Sequence, residues 1–154
     1  MSLRREPAAT VSLGIGCDRG TSVLTLEQAL HGALMQAGLQ LSQVVAVSSI
    51  DLKADEPGLF GCAALYGWNV HFYAALELAV VQVPNPSETV RKHTGTPSVS
   101  EAAALLGAAR YLGRTQALDM SALLVEKFKH RGADGRNATV SVAMCDPMYA
   151  TLQE

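Results

Sequence analysis

The residues with the most chemical potential in this chain lie in one glycine-rich junction, Val11-Ser12-Leu13-Gly14-Ile15-Gly16-Cys17-Asp18-Arg19-Gly20-Thr21. An apolar run enters it and a helical pattern leaves it near Thr25. Strand, tight loop and helix start in that order present backbone N–H groups and a positive dipole end. Gly14, Gly16 and Gly20 would let the backbone turn sharply and a ligand approach closely. An anion is the expected ligand, with Arg19 and Thr21 as further donors. Cys17 stands near the same helix start, where a thiol pKa can fall, and so is a candidate nucleophile. A small buried thiol is the plainer reading.

Three more junctions read as helix starts, and two of them carry polar groups beyond what a cap needs, Lys53 and Thr96. In Ile50-Asp51-Leu52-Lys53-Ala54-Asp55-Glu56-Pro57, Asp55 or Glu56 would cap a helix with Pro57 in its first turn. Lys53 could meet an anion, and Asp51 and Glu56 could do acid–base work. In Pro84-Asn85-Pro86-Ser87-Glu88, Asn85 reads as the cap, with Pro86 at the first helical position. In Gly95-Thr96-Pro97-Ser98-Val99-Ser100-Glu101, Ser98 and Glu101 form a capping-box pattern. Helix stability alone accounts for any one of these caps. Together they offer Asn85, Ser87, Gly95, Thr96 and Ser98 to a carboxylate or phosphate. Lys127 alternates with Lys129 on one strand face, and Arg131 and Arg136 follow. That basic edge is either a solvated strand or a wall for a polyanion.

The elements that must hold these loops are legible as five strand-like runs: Val11–Ile15, Val44–Ser49, Asn69–Tyr73, Leu123–Lys129 and Ala138–Met144. Helical patterns separate the first three, which makes a parallel βαβ arrangement. Leu26, Leu30, Ala33, Leu34 and Ala37 mark the first helix, Thr25 with Gln28 its start and Gly38 its end. The last two runs flank a Gly-rich polar loop and read as a hairpin. The expected fold is α/β: a single-domain three-layer α/β/α sandwich whose mixed, mainly parallel sheet of about five strands ends in that hairpin. Residues 10–146 would form the domain, with a flexible N-terminus at 1–9 and a tail at 147–154. In such a sheet, ligands bind outside the carboxyl ends of the strands.

Composition narrows the class. The chain has 154 residues, 49% hydrophobic but only 5% aromatic, so its core is built from Ala, Leu and Val. A net charge of -2 speaks against a nucleic-acid binder. No apolar run is long enough for a membrane span, and the N-terminus lacks the apolar stretch of a signal peptide. Three scattered cysteines suggest a cytoplasmic protein without disulfides. His31, His71, His93 and His130 have no metal-ligand spacing, so neither a metal nor a cofactor is expected. The glycine loop is neither a Walker A motif nor a dinucleotide fingerprint.

The junctions at 14–20, 50–59, 84–88 and 95–105, taken in that order, resemble the CobE / CbiG C-terminal domain family of cobalamin biosynthesis, over about Val11 to Cys145. The upstream domains of longer CbiG proteins are missing from this chain, which is therefore similar to the stand-alone CobE type of the aerobic pathway. The resemblance implies a role in corrin-ring synthesis: binding or handing over a precorrin or corrinoid intermediate, with other corrin-pathway enzymes as partners. Such a ring carries acetate and propionate carboxylates, for which helix N-termini, Arg19, Lys53 and Lys127 would be donors. Leu52, Leu59 and Phe60 would give it apolar surface, and a homodimer would deepen a shallow site. The alternative implied by CbiG is a hydrolase acting on a corrinoid ring lactone, with Cys17, Asp51 or Glu56 in the chemistry. A regulatory module for a phosphate compound is a third reading.

Overall fold

The computed structural model describes residues 9–151. Five strands form one sheet in the order β3-β2-β1-β5-β4: β1 Val11–Cys17, β2 Val44–Ile50, β3 Val70–Tyr73, β4 Leu123–Arg131 and β5 Asn137–Met144. β1, β2 and β3 pair in parallel, whereas β5 is antiparallel to both β1 and β4. Four strands thus point one way, and the hairpin makes the sheet mixed, as the sequence pattern implied. The inner place of β5 follows from its residues. Val140, Ser141, Val142 and Ala143 are all buried, while β4 alternates with exposed positions and takes the edge.

Helices cover both faces. α1 (Val23–Ala37) and α2 (Pro57–Leu65) lie on one side. On the other, α3 (Ala75–Ala79) and α5 (Val99–Tyr111) pack together, with α4 (Glu88–Thr94) between them in sequence. α1 buries Leu26, Leu30 and Leu34, spaced for one helix face, against Leu13, Val140 and Val142. Each such side chain contributes about 1.5–3 kcal/mol. The second core unites Leu105, Ala108 and Leu118 with Tyr73 and Leu78.

α5 runs against the direction of β1. Val99 faces Gly16, Ser100 and Ala104 face Gly14, and Gly107 faces Ser12 and Ser48. Its N-terminus therefore reaches the carboxyl edge of the sheet. The small residues let this helix lie unusually close to the strand. Gly14 and Gly16 are accordingly strand residues rather than turn residues. Gly14 makes room for the α5 backbone and not for a ligand. The turn glycine is Gly20, at φ +81°.

Several caps differ from the sequence expectation. α1 begins after Ser22, whose hydroxyl accepts from the Thr25 amide, so Thr25 lies inside the first turn. α4 begins after Ser87, which caps Val90 N, because the Asn85 amide is drawn to Glu101 and Glu126. Ser98 does precede α5, but the box with Glu101 is not closed. The Gly38 end of α1 is as expected, with φ +69°. Leu59, expected to face a ligand, is core. Residues 147–151, expected as part of a tail, fold back onto the domain through Asp119 N to Tyr149 O (2.7 Å) and Thr151 Oγ1 to Ala117 O (3.2 Å). Residues 1–8 and 152–154 of the expected termini lie outside the described residues.

Candidate functional site

The carboxyl ends of β1, β2 and β3 bring the four sequence junctions to one edge of the sheet. The glycine junction meets the 51–56 turn there, through a fully buried acid. The Glu56 carboxylate accepts the Gly20 amide through both oxygens, at 3.2 and 3.1 Å, and pairs with Arg19 Nη1 at 3.2 Å. Arg19 also binds Asp55 at 2.9 Å and donates to Leu52 O at 2.7 Å. That guanidinium holds the exposed Asp55 carboxyl below its ordinary range. Thr21 donates its hydroxyl to Asp18 O at 2.6 Å.

The N-terminus of α1 is occupied in the same way. Asp134, from the β4–β5 turn, accepts from Ser22 N at 3.0 Å and from Thr25 Oγ1 at 2.9 Å. The donors of the glycine junction, expected to meet an external anion, are therefore engaged by Glu56 and Asp134. Sequence inspection misses this because both acids come from distant segments.

Asp134 offers a test of that arrangement. Backbone hydrogen bonds from Ser22 and Arg136 hold its carboxyl down at about 2, against an ordinary 3.8. A depressed folded value stabilises the fold at pH above the unfolded value and loses that effect as pH falls through the folded one. Asp134→Asn is thus expected to be less stable than the parent at neutral pH. The gap should close as pH falls from about 4 to about 2. Urea midpoints measured across that range check it, and a gap independent of pH would contradict it.

Lys53, half-buried, lies close enough to act on Cys17. Burial pushes the Cys17 thiol up, only partly opposed by the Lys53 ammonium, while Glu56 raises it further. Cys62 is pushed up to about 12 and Cys145 to about 11, mainly by burial. None has the lowered pKa of a nucleophilic thiol. At pH 8 the native chain is expected to react with iodoacetamide about tenfold or more slowly than the urea-unfolded chain. A fast-reacting Cys17 in the native state would overturn this. Asp51 is exposed in the short turn after β2. Among the described residues no three His, Cys, Asp or Glu side chains gather as metal ligands.

The other two junctions meet at the first turn of α5. Glu101, fully buried, accepts from Asn85 N (3.3 Å) and Asn85 Nδ2 (2.7 Å). Lys127 donates to Asn85 O at 2.8 Å and sits 4.0 Å from Glu101, and burial lowers its pKa. Ser87 N donates to Pro97 O, so the 85–87 segment lies across the start of α5. Gly95 ends α4 at φ +82°. Beneath this strap, Thr96, Pro97 and Ser98 are all buried. The Thr96 and Ser98 hydroxyls have no hydrogen-bond partner among the described residues. Buried polar groups are almost always paired, so two adjacent unpaired ones at an uncapped helix start stand out.

A large groove lies elsewhere. About 1030 Å³ in volume, it runs between α3 and the C-terminal half of α5 and is lined by none of the expected site residues. Tyr73, Arg110 and Arg114 line it, and no motif in the sequence marked them.

These features define the class: a three-layer α/β domain with polar loops at the carboxyl edge, one helix N-terminus neutralised by the chain's own acids and another without a cap. The family model described as "Cobalamin synthesis G C-terminus" matches residues 11–143, and the chain belongs to that family of cobalamin biosynthesis proteins. It is 36% identical to "Protein CobE" of a Sinorhizobium species over 107 residues, covering 68% of this chain and 70% of that protein. It is 40% identical over 96 residues to a "Cobalt-precorrin-5A hydrolase" of Priestia megaterium. That match covers 62% of this chain and only 26% of the hydrolase. A crystal structure of CobE, a protein from the cobalamin (vitamin B12) biosynthetic pathway, superposes with a TM-score of 0.73 at 35% identity. It covers 92% of this chain and 94% of that one.

Proposed function

We propose that this protein binds a precorrin or corrinoid intermediate of the aerobic corrin-ring pathway and hands it to a further enzyme of that pathway. The family supplies the ligand class. The observation that carries the binding reading is the start of α5, where Thr96 and Ser98 hold buried hydroxyls without partners at an uncapped helix N-terminus. A peripheral carboxylate of the ring would satisfy those hydroxyls and the helix dipole together. Such charge-assisted hydrogen bonds are worth about 1.5–3 kcal/mol each. Lys53 stands at the same edge of the sheet. Entry requires the 85–87 strap to lift, and Lys127 and Glu101 hold that strap through Asn85. A homodimer would enlarge the site. Among the described residues no helix is long and apolar enough to cross a membrane, which suits a cytoplasmic carrier.

The likeness to the hydrolase favours a second reading, opening of a corrinoid ring lactone. Its candidate residues are poorly placed for that work. Cys17 is held protonated by burial, and Glu56 is committed to Gly20 and Arg19.

One experiment separates the readings. The purified chain is mixed with hydrogenobyrinic acid, a metal-free corrinoid acid, and passed through a desalting column. Pigment that co-elutes with an unchanged visible spectrum is the expected result. Altered pigment would favour the hydrolase, and colourless protein would overturn both. Thr96→Val, which keeps the shape but removes the hydroxyl, is expected to weaken retention about fivefold or more while leaving the urea midpoint unchanged or higher.

A further inference from the structure

The groove between α3 and α5 has the composition of a ligand site and no role in the reading above. At about 1030 Å³ it is at the upper end of small-molecule pockets, too large for phosphate or an amino acid to fill. Val80, Leu106 and Met120 give it apolar walls, with Val80 82% and Met120 43% exposed. Arg110 and Arg114 flank those walls. Neither has a carboxylate within salt-bridge distance among the described residues. Two acids, Glu77 and Asp119, share the rim, Asp119 accepting from the Ser121 amide. Tyr73 is a third polar element. It is only 6% exposed, and the Ser48 hydroxyl lies beside its own.

We infer that this groove is a second binding site, for an apolar ring system that carries carboxylates. The ring would lie on Val80, Leu106 and Met120. Two of its carboxylates would meet the arginines, whose planar forks match a carboxylate with paired hydrogen bonds. The naming of a corrinoid as that ring rests on the proposed function, whereas the groove's preference for anionic ring compounds does not. The groove's Arg110 and the start of α5 lie toward opposite ends of a helix of 13 residues, about 20 Å long. A carrier that receives and releases a large ring has use for two stations.

Two probes test this on the full chain: anilinonaphthalene sulfonate, an apolar ring anion read by fluorescence, and hydrogenobyrinic acid, read as its competitor. Three proteins are compared: the parent, Arg110→Glu/Arg114→Glu, and a control, Arg131→Glu/Arg136→Glu, at the exposed end of the β4–β5 hairpin. All four arginines are exposed, so circular dichroism and urea midpoints are expected to match. The groove variant is expected to bind the sulfonate about tenfold or more weakly and to lose displacement by the corrinoid acid, with the control unchanged. If the groove variant binds both probes within about twofold of the parent, the inference is wrong while corrinoid binding stands. If sulfonate binding depends on the arginines but the corrinoid acid neither displaces it nor is retained by the parent, the groove stands as an anionic-ring site and the proposed function falls. If the parent binds neither probe, both fall.

Discussion

Replacing Gly14 with alanine is expected to lower the unfolding free energy by about 3 kcal/mol or more. A Cβ at that position would fall well inside contact distance of the Ser100 carbonyl oxygen and the Ala104 amide nitrogen. Both are backbone atoms of a helix, so neither can rotate away as a side chain would. α5 would have to shift off β1, and the close-packed layer of Ala102, Ala103, Ala104 and Ala108 would shift with it. Gly16→Ala is the matched control. Its Cβ would meet Val99 Cβ at 3.7 Å, an ordinary contact, and alanine lowers the entropy of the unfolded chain. It is expected to stay within about 1 kcal/mol of the parent. Urea unfolding with a common slope measures both. A Gly14→Ala variant as stable as Gly16→Ala would mean that α5 does not lie as close to β1 as described.

These two glycines also mark what could and could not be read from the sequence. The five strands emerged within one or two residues of their limits, because each is a β-branched, aromatic or alternating run between turn signals. The C-terminal hairpin emerged too, from the Gly-rich turn at 132–135. The glycine junction was found in the right place but given the wrong occupants. What decides its chemistry is Glu56, 36 positions from Gly20, and Asp134, 112 positions from Ser22. No local pattern encodes those pairings. The choice between Asn85 and Ser87 as helix cap was lost for the same reason: both residue types cap well, and the distant Glu101 took the Asn85 amide. The buried hydroxyls of Thr96 and Ser98 were among the sequence candidates, but their lack of partners is a property of packing. Tyr73, Arg110 and Arg114 belong to a strand end and a helix end some 40 residues apart, so the groove they share had no sequence signal.

The last large effect expected is at Glu56, and it decides whether the glycine junction is a finished structure or a ligand site held in reserve. Glu56→Ala is expected to destabilise the chain by about 2–4 kcal/mol, because it leaves the Gly20 amide without its acceptor and removes a buried carboxylate from beside Arg19. Arg19→Ala should cost less than about 1 kcal/mol, since Arg19 is 58% exposed and its other carboxylate partner, Asp55, is 78% exposed. Equal losses in the two variants would show that the ion pair, and not the carboxylate–amide contact, secures the turn. Corrinoid retention then separates the two roles. If Glu56 only completes the fold, folded Glu56→Ala protein retains the pigment as the parent does, which is the expected result. If Glu56 occupies the place of a ligand carboxylate, removing it frees the Gly20 amide and the Arg19 guanidinium together, and retention tightens. The same substitution thus loosens the fold in either case but moves ligand binding in only one.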